Sequence, residues 1–423
     1  RYECGLSRTR NRAKCHMSRQ RVLLVKPVLP YPPEQGTRVV SFALVEALSE
    51  VYDVTVLARI LDRGEEEHAR TLQRWCSRVV TVFPANRRSL AARVGYRIAY
   101  LVRALVSGRS QKSLYDCPGA FVARARELAR ESFDLVIVEY WQLYPLLDVF
   151  PPRRTVLVTH DVDQFVNRDR AALEPNAFCR LLRRPRDAVE RREETAAYRR
   201  AARVWALTSR DAEAVRSISG GTPADVLPFG LGEEAFAGEV PARESREVLF
   251  MGAMGALFNQ DAIIHFARDL HPVLQDLPGV TFTIVGGALP ADAASLASAP
   301  GVTVTGHAPD PRVYLRRAAC LIVPLRYAGG LRIRIIEAMA AGLPVVCSPA
   351  AVAGMDLGEE SGVLLAHSPS EYRAHVERLL ADSAFAAKAA RSAREAARRR
   401  FGPEARRAGV RALAAAAVVR GQT

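Results

Sequence analysis

The chain has 423 residues, 49% of them apolar and 25% charged, and a formal net charge of +15. That length is too great for one ordinary core and predicts two domains, and the composition suits a soluble globular protein. The positive charge favours anionic partners, namely nucleic acid, an anionic membrane or a phosphorylated ligand, although abundant arginine and alanine trace part of it to base composition. The seven cysteines form no C-x-x-C pair, which argues against a zinc or redox motif and fits buried thiols in a reducing compartment.

Residues 1–16 are polar and basic and lack the apolar middle of a secretory signal. Met17 stands just before "SRQRVLLVKP", so 1–19 is expected to be a disordered extension and the folded body to begin near 20. No apolar run reaches the roughly eighteen residues of a membrane-spanning helix. Short β-branched runs then alternate with helix-length segments. The first series occupies 21–27, 54–60, 79–84, 135–140, 155–160 and 203–209, and the second occupies 247–252, 281–287, 302–306, 320–325, 343–348 and 362–367. Continuous apolar runs read as strands buried on both faces, and intervening helices imply parallel sheets with right-handed crossovers. The fold class is therefore α/β, two doubly wound Rossmann-like domains facing across a cleft. The first is placed at 20–230 and the second at 243–400, with a helical segment 401–423 after Gly402-Pro403 returning to the first. Ligands of such sheets bind beyond the carboxyl ends of the strands.

Several candidate residues follow strands. Gly36, in "YPPEQGTRVV", is either a turn glycine or a point where backbone approaches a diphosphate. The segment 86–112 is basic and amphipathic. It reads as a contact for an anionic membrane or as a crossover helix with a solvated basic face. His160 closes "TVLVTH" at the cleft edge; Asp161 is read as a cap for the next helix. The mixed-charge helix 183–203 is expected to show a solvated face. Gly252 and Gly255 make no dinucleotide fingerprint, and His307 with Ala308 lies near a candidate base site or in a surface loop.

The stretch "RYAGGLRIRIIEAMAAGLPVV" carries the most chemistry. It reads as turn, helix and strand. A helix N-terminus offers free N–H groups and about half a positive charge. Gly329 and Gly330 remove bulk, Arg326, Arg332 and Arg334 offer guanidinium donors, and Glu337 suits a ribose diol. The plainer reading is an amphipathic helix with an Arg334–Glu337 ion pair.

This stretch, with "LFMGAM", "FTIVGG" and "VTVTGHAPD", resembles the C-terminal domain of the GT-B glycosyltransferases of family 4 (glycosyl transferases group 1), in a branch with a G-G-x-R-x-K/R-x-x-E pattern. The resemblance extends from about Arg21 to Arg400. It implies a hexosyltransferase (EC 2.4) that moves a sugar from a UDP- or GDP-sugar with retention and without a metal. Acceptors implied are a glycan, a lipid-linked intermediate or a cell-envelope precursor. On this reading His160, Arg332 and Glu337 serve catalysis. Gly36, Gly252, Arg326, Gly329, Gly330, Arg332, Arg334 and Glu337 bind the donor. Gly329 stands where the family usually has a first glutamate, and Ala253 follows Gly252 where a basic residue is usual. Arg332 and Arg334 are expected to compensate. No cofactor beyond the co-substrate, no metal and no nucleic acid are expected, and the location implied is cytoplasmic or peripheral at the inner membrane face. A sugar-nucleotide epimerase and a non-catalytic nucleotide-sugar binder are the alternatives.

Overall fold

A computed structural model describes residues 19–422 except 35, 84–102, 105, 241–244 and 309. All of the expected extension 1–19 except Arg19, and most of the basic segment 86–112, lie outside the described residues. Two all-parallel sheets organise the chain. The first has β1 (Arg21–Lys26), β2 (Asp53–Arg59), β3 (Arg78–Val82), β4 (Leu135–Glu139), β5 (Thr155–Thr159), β6 (Val204–Ala206) and β7 (Ala224–Val226), in the order 3-2-1-4-5-6-7. The second has β8 (Glu247–Gly252), β9 (Thr281–Gly286), β10 (Val302–Gly306), β11 (Cys320–Val323), β12 (Val345–Cys347) and β13 (Val363–Leu365), in the order 10-9-8-11-12-13. Every apolar run named above overlaps one of these strands. β7 was not foreseen, because it is a three-residue edge strand centred on Asp225, which pairs with Arg203 at 2.5 Å.

Both sheets reverse direction of winding beside their first strand, between β1 and β4 and between β8 and β11. Such switch points open a crevice at the carboxyl ends. Val25 pairs with Val138 and Glu139 with Val158, so the ends of β1, β4 and β5 lie side by side.

The C-terminal segment ties the lobes together. Helix Ser383–Phe401 packs in the second lobe, and helix Pro403–Gln422 packs on helix Gly36–Ser49 of the first, burying Val410, Ala414, Ala417 and Val418. Buried Arg406 reaches Glu46 at 3.3 Å. The chain also crosses between lobes at 230–231, where the Leu231 amide donates to the Phe401 carbonyl at 2.8 Å. The two crossings therefore lie together.

One expectation is corrected. Helix Ala177–Arg200 does not merely show a solvated face, because Glu190, Glu193 and Glu194 are buried. Glu194 accepts from the amides of Asp163 and Gln164 at 2.7 and 2.9 Å, capping helix Asp163–Leu173. Burial and nearby Asp163 raise its pKa to about 8. Lys112 binds Glu190 at 3.0 Å, and Glu193 accepts from the Ser110 amide at 3.1 Å. Periodicity marked the face as polar, but only the fold shows that it closes over another segment.

Candidate functional site

The first lobe sets three charged or polar side chains at adjacent strand ends. Lys26 ends β1, Glu139 ends β4 and His160 follows β5, and all are buried. Glu139 Oε2 accepts from Lys26 Nζ at 2.8 Å, Ser41 Oγ at 2.5 Å and His160 Nε2 at 3.0 Å. Burial alone would raise the Glu139 pKa, yet Lys26 and His160 hold it down to about 2. Burial lowers the Lys26 pKa, against the pull of Glu139. The His160 ring stacks on Tyr140 with centroids 4.4 Å apart and planes within 5°.

The second lobe presents the 327–337 stretch. Helix Ile333–Ala340 begins without a side-chain cap, and Arg332 occupies its N-cap position. The first amides of the helix are thus open to an anion. The buried Arg332 guanidinium lies 3.5 Å from Asp161 Oδ1 and 5.0 Å from the Phe258 ring centroid, and its Nε has no partner among the described residues. Burial lowers its pKa, while Asp161 and Asp211 oppose the shift. Arg334 turns back to the end of β8, where it donates to the Met251 carbonyl and to Asn259 Oδ1. A side chain at Gly252 would come within 2.9 Å of that guanidinium, so Gly252 makes its room. Burial and neighbouring Arg332 lower the Arg334 pKa to about 9. The expected Arg334–Glu337 ion pair is not formed. Glu337 makes no side-chain hydrogen bond among the described residues, and burial lifts its pKa to about 7 against Arg334 and Arg312.

The lobes meet at these loops. Gly330 has φ +61°, and a Cβ there would strike the His160 carbonyl and Asp161 Oδ1. A Cβ at Gly329 would lie 2.6 Å from Val166 Cγ2. The two glycines therefore admit the first lobe's 160–166 segment, where sequence reasoning gave them to a diphosphate alone. Asp161 does not cap the next helix, because Glu194 does; it faces Arg332 instead. Gly36 lies exposed at the start of helix Gly36–Ser49, and a Cβ there would sit 3.6 Å from Ile333 across the crevice. Arg326 is committed elsewhere, in a two-point pair with Asp261 that includes Nε to Oδ2 at 2.9 Å. His307 is exposed after the edge strand β10, away from the switch point. A cavity of about 600 Å³ between helices, bordered by Arg191, Arg199 and Ile218, includes none of the candidate residues.

Residues 245–382 match the family described as Glycosyl transferases group 1. The second lobe is a group 1 glycosyltransferase domain. The whole fold agrees. Sucrose-phosphate synthase from Thermosynechococcus elongatus is similar at 21% identity and TM-score 0.68, covering 93% of this chain and 98% of that one. HepE from Anabaena, solved with UDP and glucose, is similar at 15% identity and TM-score 0.64, covering 94% and 100%. TarM is similar at 11% identity and TM-score 0.65, covering 94% and 99%. No curated protein matches the chain by sequence. The molecule is thus a glycosyltransferase with the two-lobed GT-B architecture. Within this glycosyltransferase the fold brings Gly36, His160, Gly329, Gly330 and Arg332 together where the lobes meet, sets Arg334 against Gly252 at the end of β8, carries Glu337 one turn into helix Ile333–Ala340, and leaves Arg326 aside. Sequence reasoning missed Lys26, Glu139, Tyr140, Asn259 and Asp211. A signal existed for two of them: a charged residue ends the apolar runs "VLLVK" and "LVIVE".

Proposed function

We propose that the glycosyltransferase moves a sugar from a UDP- or GDP-sugar to a glycan, lipid-linked or cell-envelope precursor acceptor, with retention and without a metal ion. The reading rests on one observation. Arg332 and Arg334 sit at an uncapped helix start with their pKa values lowered, and Glu337 lies one turn on with a carboxyl that has no hydrogen-bond partner among the described residues. Arg332 is buried with Nε unpartnered among the described residues, and Arg334 has only neutral hydrogen-bond partners, so both cations gain from a dianion. The diphosphate binds the first amides and both guanidinium groups, and Glu337 accepts the ribose diol. HepE was solved with UDP-glucose, which supports a nucleotide-sugar donor.

The chemistry needs little beyond placement and charge. As the donor's C1–O bond breaks, negative charge grows on the leaving diphosphate, and Arg332 and Arg334 stabilise it. The acceptor hydroxyl attacks from the same face and passes its proton to the departing phosphate oxygen. His160 contacts the donor sugar from the opposite lobe and is not a nucleophile.

A thermal-shift panel of nucleotides and nucleotide sugars tests the reading, because a selective ligand raises the melting temperature by mass action. One base and one sugar should stand out, turnover should survive EDTA, and the product linkage should keep the donor's anomeric configuration. A panel with no responding nucleoside diphosphate overturns it.

A further inference from the structure

Beneath His160 lies a group of side chains that the transfer reaction, as described, does not use. Lys26 and Glu139 are sealed from solvent, and among the described residues every bond of Glu139 passes through Oε2 while buried Oε1 has no partner. A buried ion pair is weak support for stability, since well-packed apolar residues often do as well. An orphaned carboxylate oxygen costs more still. The arrangement therefore calls for another reason, and the geometry supplies one. Glu139 is ionised and can only accept, so His160 Nε2 must donate. Nδ1 has no partner among the described residues and is not one of their buried unpaired atoms. Tyr140 fixes the plane of the ring by stacking.

We propose that Glu139, neutralised by Lys26, is the positioning residue that holds His160 as the Nε2–H tautomer, leaving the Nδ1 lone pair as an acceptor for a hydroxyl of the bound sugar. The role for the sugar rests on the function proposed above; the tautomer does not. Lys26 has its own part. Its ammonium donates to the same Oε2 and sets a positive charge against the buried carboxylate. Ser41 Oγ donates to the same carboxylate oxygen, so the donors around Oε2 share one anchor. No proton is transferred in this arrangement: the ring is oriented and its acceptor face chosen.

The test uses full-length protein labelled with ¹⁵N-histidine at pH 8, the resonances of residue 160 being identified with His160→Gln. Wild-type protein should show a protonated Nε2 and an unprotonated Nδ1. A proton on Nδ1 overturns the proposal without any further variant. The neutral pair Lys26→Met/Glu139→Gln should lose the single-tautomer pattern and lower kcat about 100-fold, as misplacement of a contact group does, with donor KM within about threefold. Glu139→Asp with Lys26 retained should recover the tautomer and part of kcat. An unchanged tautomer in the double variant, or a loss carried by KM alone, overturns the proposal. Should the double variant not fold, the wild-type spectrum still decides. A correct tautomer in a protein that binds no nucleotide would sink the proposed function and leave this positioning role standing.

Discussion

The two lobes treat buried charge in opposite ways. In the first, Lys26, Glu139 and His160 answer one another at adjacent strand ends, with the carboxylate held near pKa 2. In the second, Arg332 faces Asp161, Arg334 has only the neutral Met251 carbonyl and Asn259 amide oxygens as partners, and Glu337 makes no side-chain hydrogen bond among the described residues. Their pKa values move toward the neutral forms, Arg334 to about 9 and Glu337 to about 7. A closed circuit is organised before any ligand arrives; an open one gains when a ligand supplies the missing charge. The contrast assigns the first lobe to placement and the second to gripping the diphosphate.

The most damaging way to test that contrast is Arg332→Ala/Arg334→Ala. Two charge-assisted contacts are lost, about 3–6 kcal/mol together, so nucleotide affinity by calorimetry should fall by roughly 100-fold or more. Near-native affinity would mean that the second lobe's charges are as self-contained as the first's. Next in size is Gly330→Ala, which combines a left-handed backbone with a collision against His160. It should cost about 2 kcal/mol or more in denaturant unfolding, and it would show how firmly the lobes meet at this loop.

The acid group of each lobe sharpens the comparison. Glu337 is raised to about 7, so below that pH it is protonated and a poorer acceptor for a diol. Nucleotide affinity should therefore tighten up to about tenfold between pH 6 and 8, and Glu337→Gln should abolish the dependence. Glu139 runs the other way. Its folded pKa of about 2 lies below the ordinary 4.5. Its contribution to stability is complete above about pH 4.5 and is lost as the pH falls toward 2. Melting temperatures from pH 5 to pH 3 should drop more steeply in wild type than in Lys26→Met/Glu139→Gln. The smallest effect belongs to the partly exposed pairs of Arg407 and Arg411 with Glu50. Arg407→Ala should change stability by no more than about 1 kcal/mol.

Much of this molecule was legible in order along the chain. Continuous apolar runs separated by helix-length segments determined two parallel sheets, because a strand covered on both faces has no polar side to show. The run around 327–348 determined the second lobe's family, since its glycines, arginines and glutamate are local in sequence. What stayed hidden was relation across the fold. Arg326 and Arg334 look equivalent in the sequence, yet one pairs outward with Asp261 and the other reaches β8. Gly329 and Gly330 read as space for a phosphate, and tertiary structure fills part of that space with the opposite lobe. Lys26, Glu139 and His160 are more than a hundred positions apart at the extremes and meet only because β1, β4 and β5 are neighbours in the sheet. Periodicity and spacing record which face of an element is buried; the partner of a buried charge is set by strand order, which no local pattern carries.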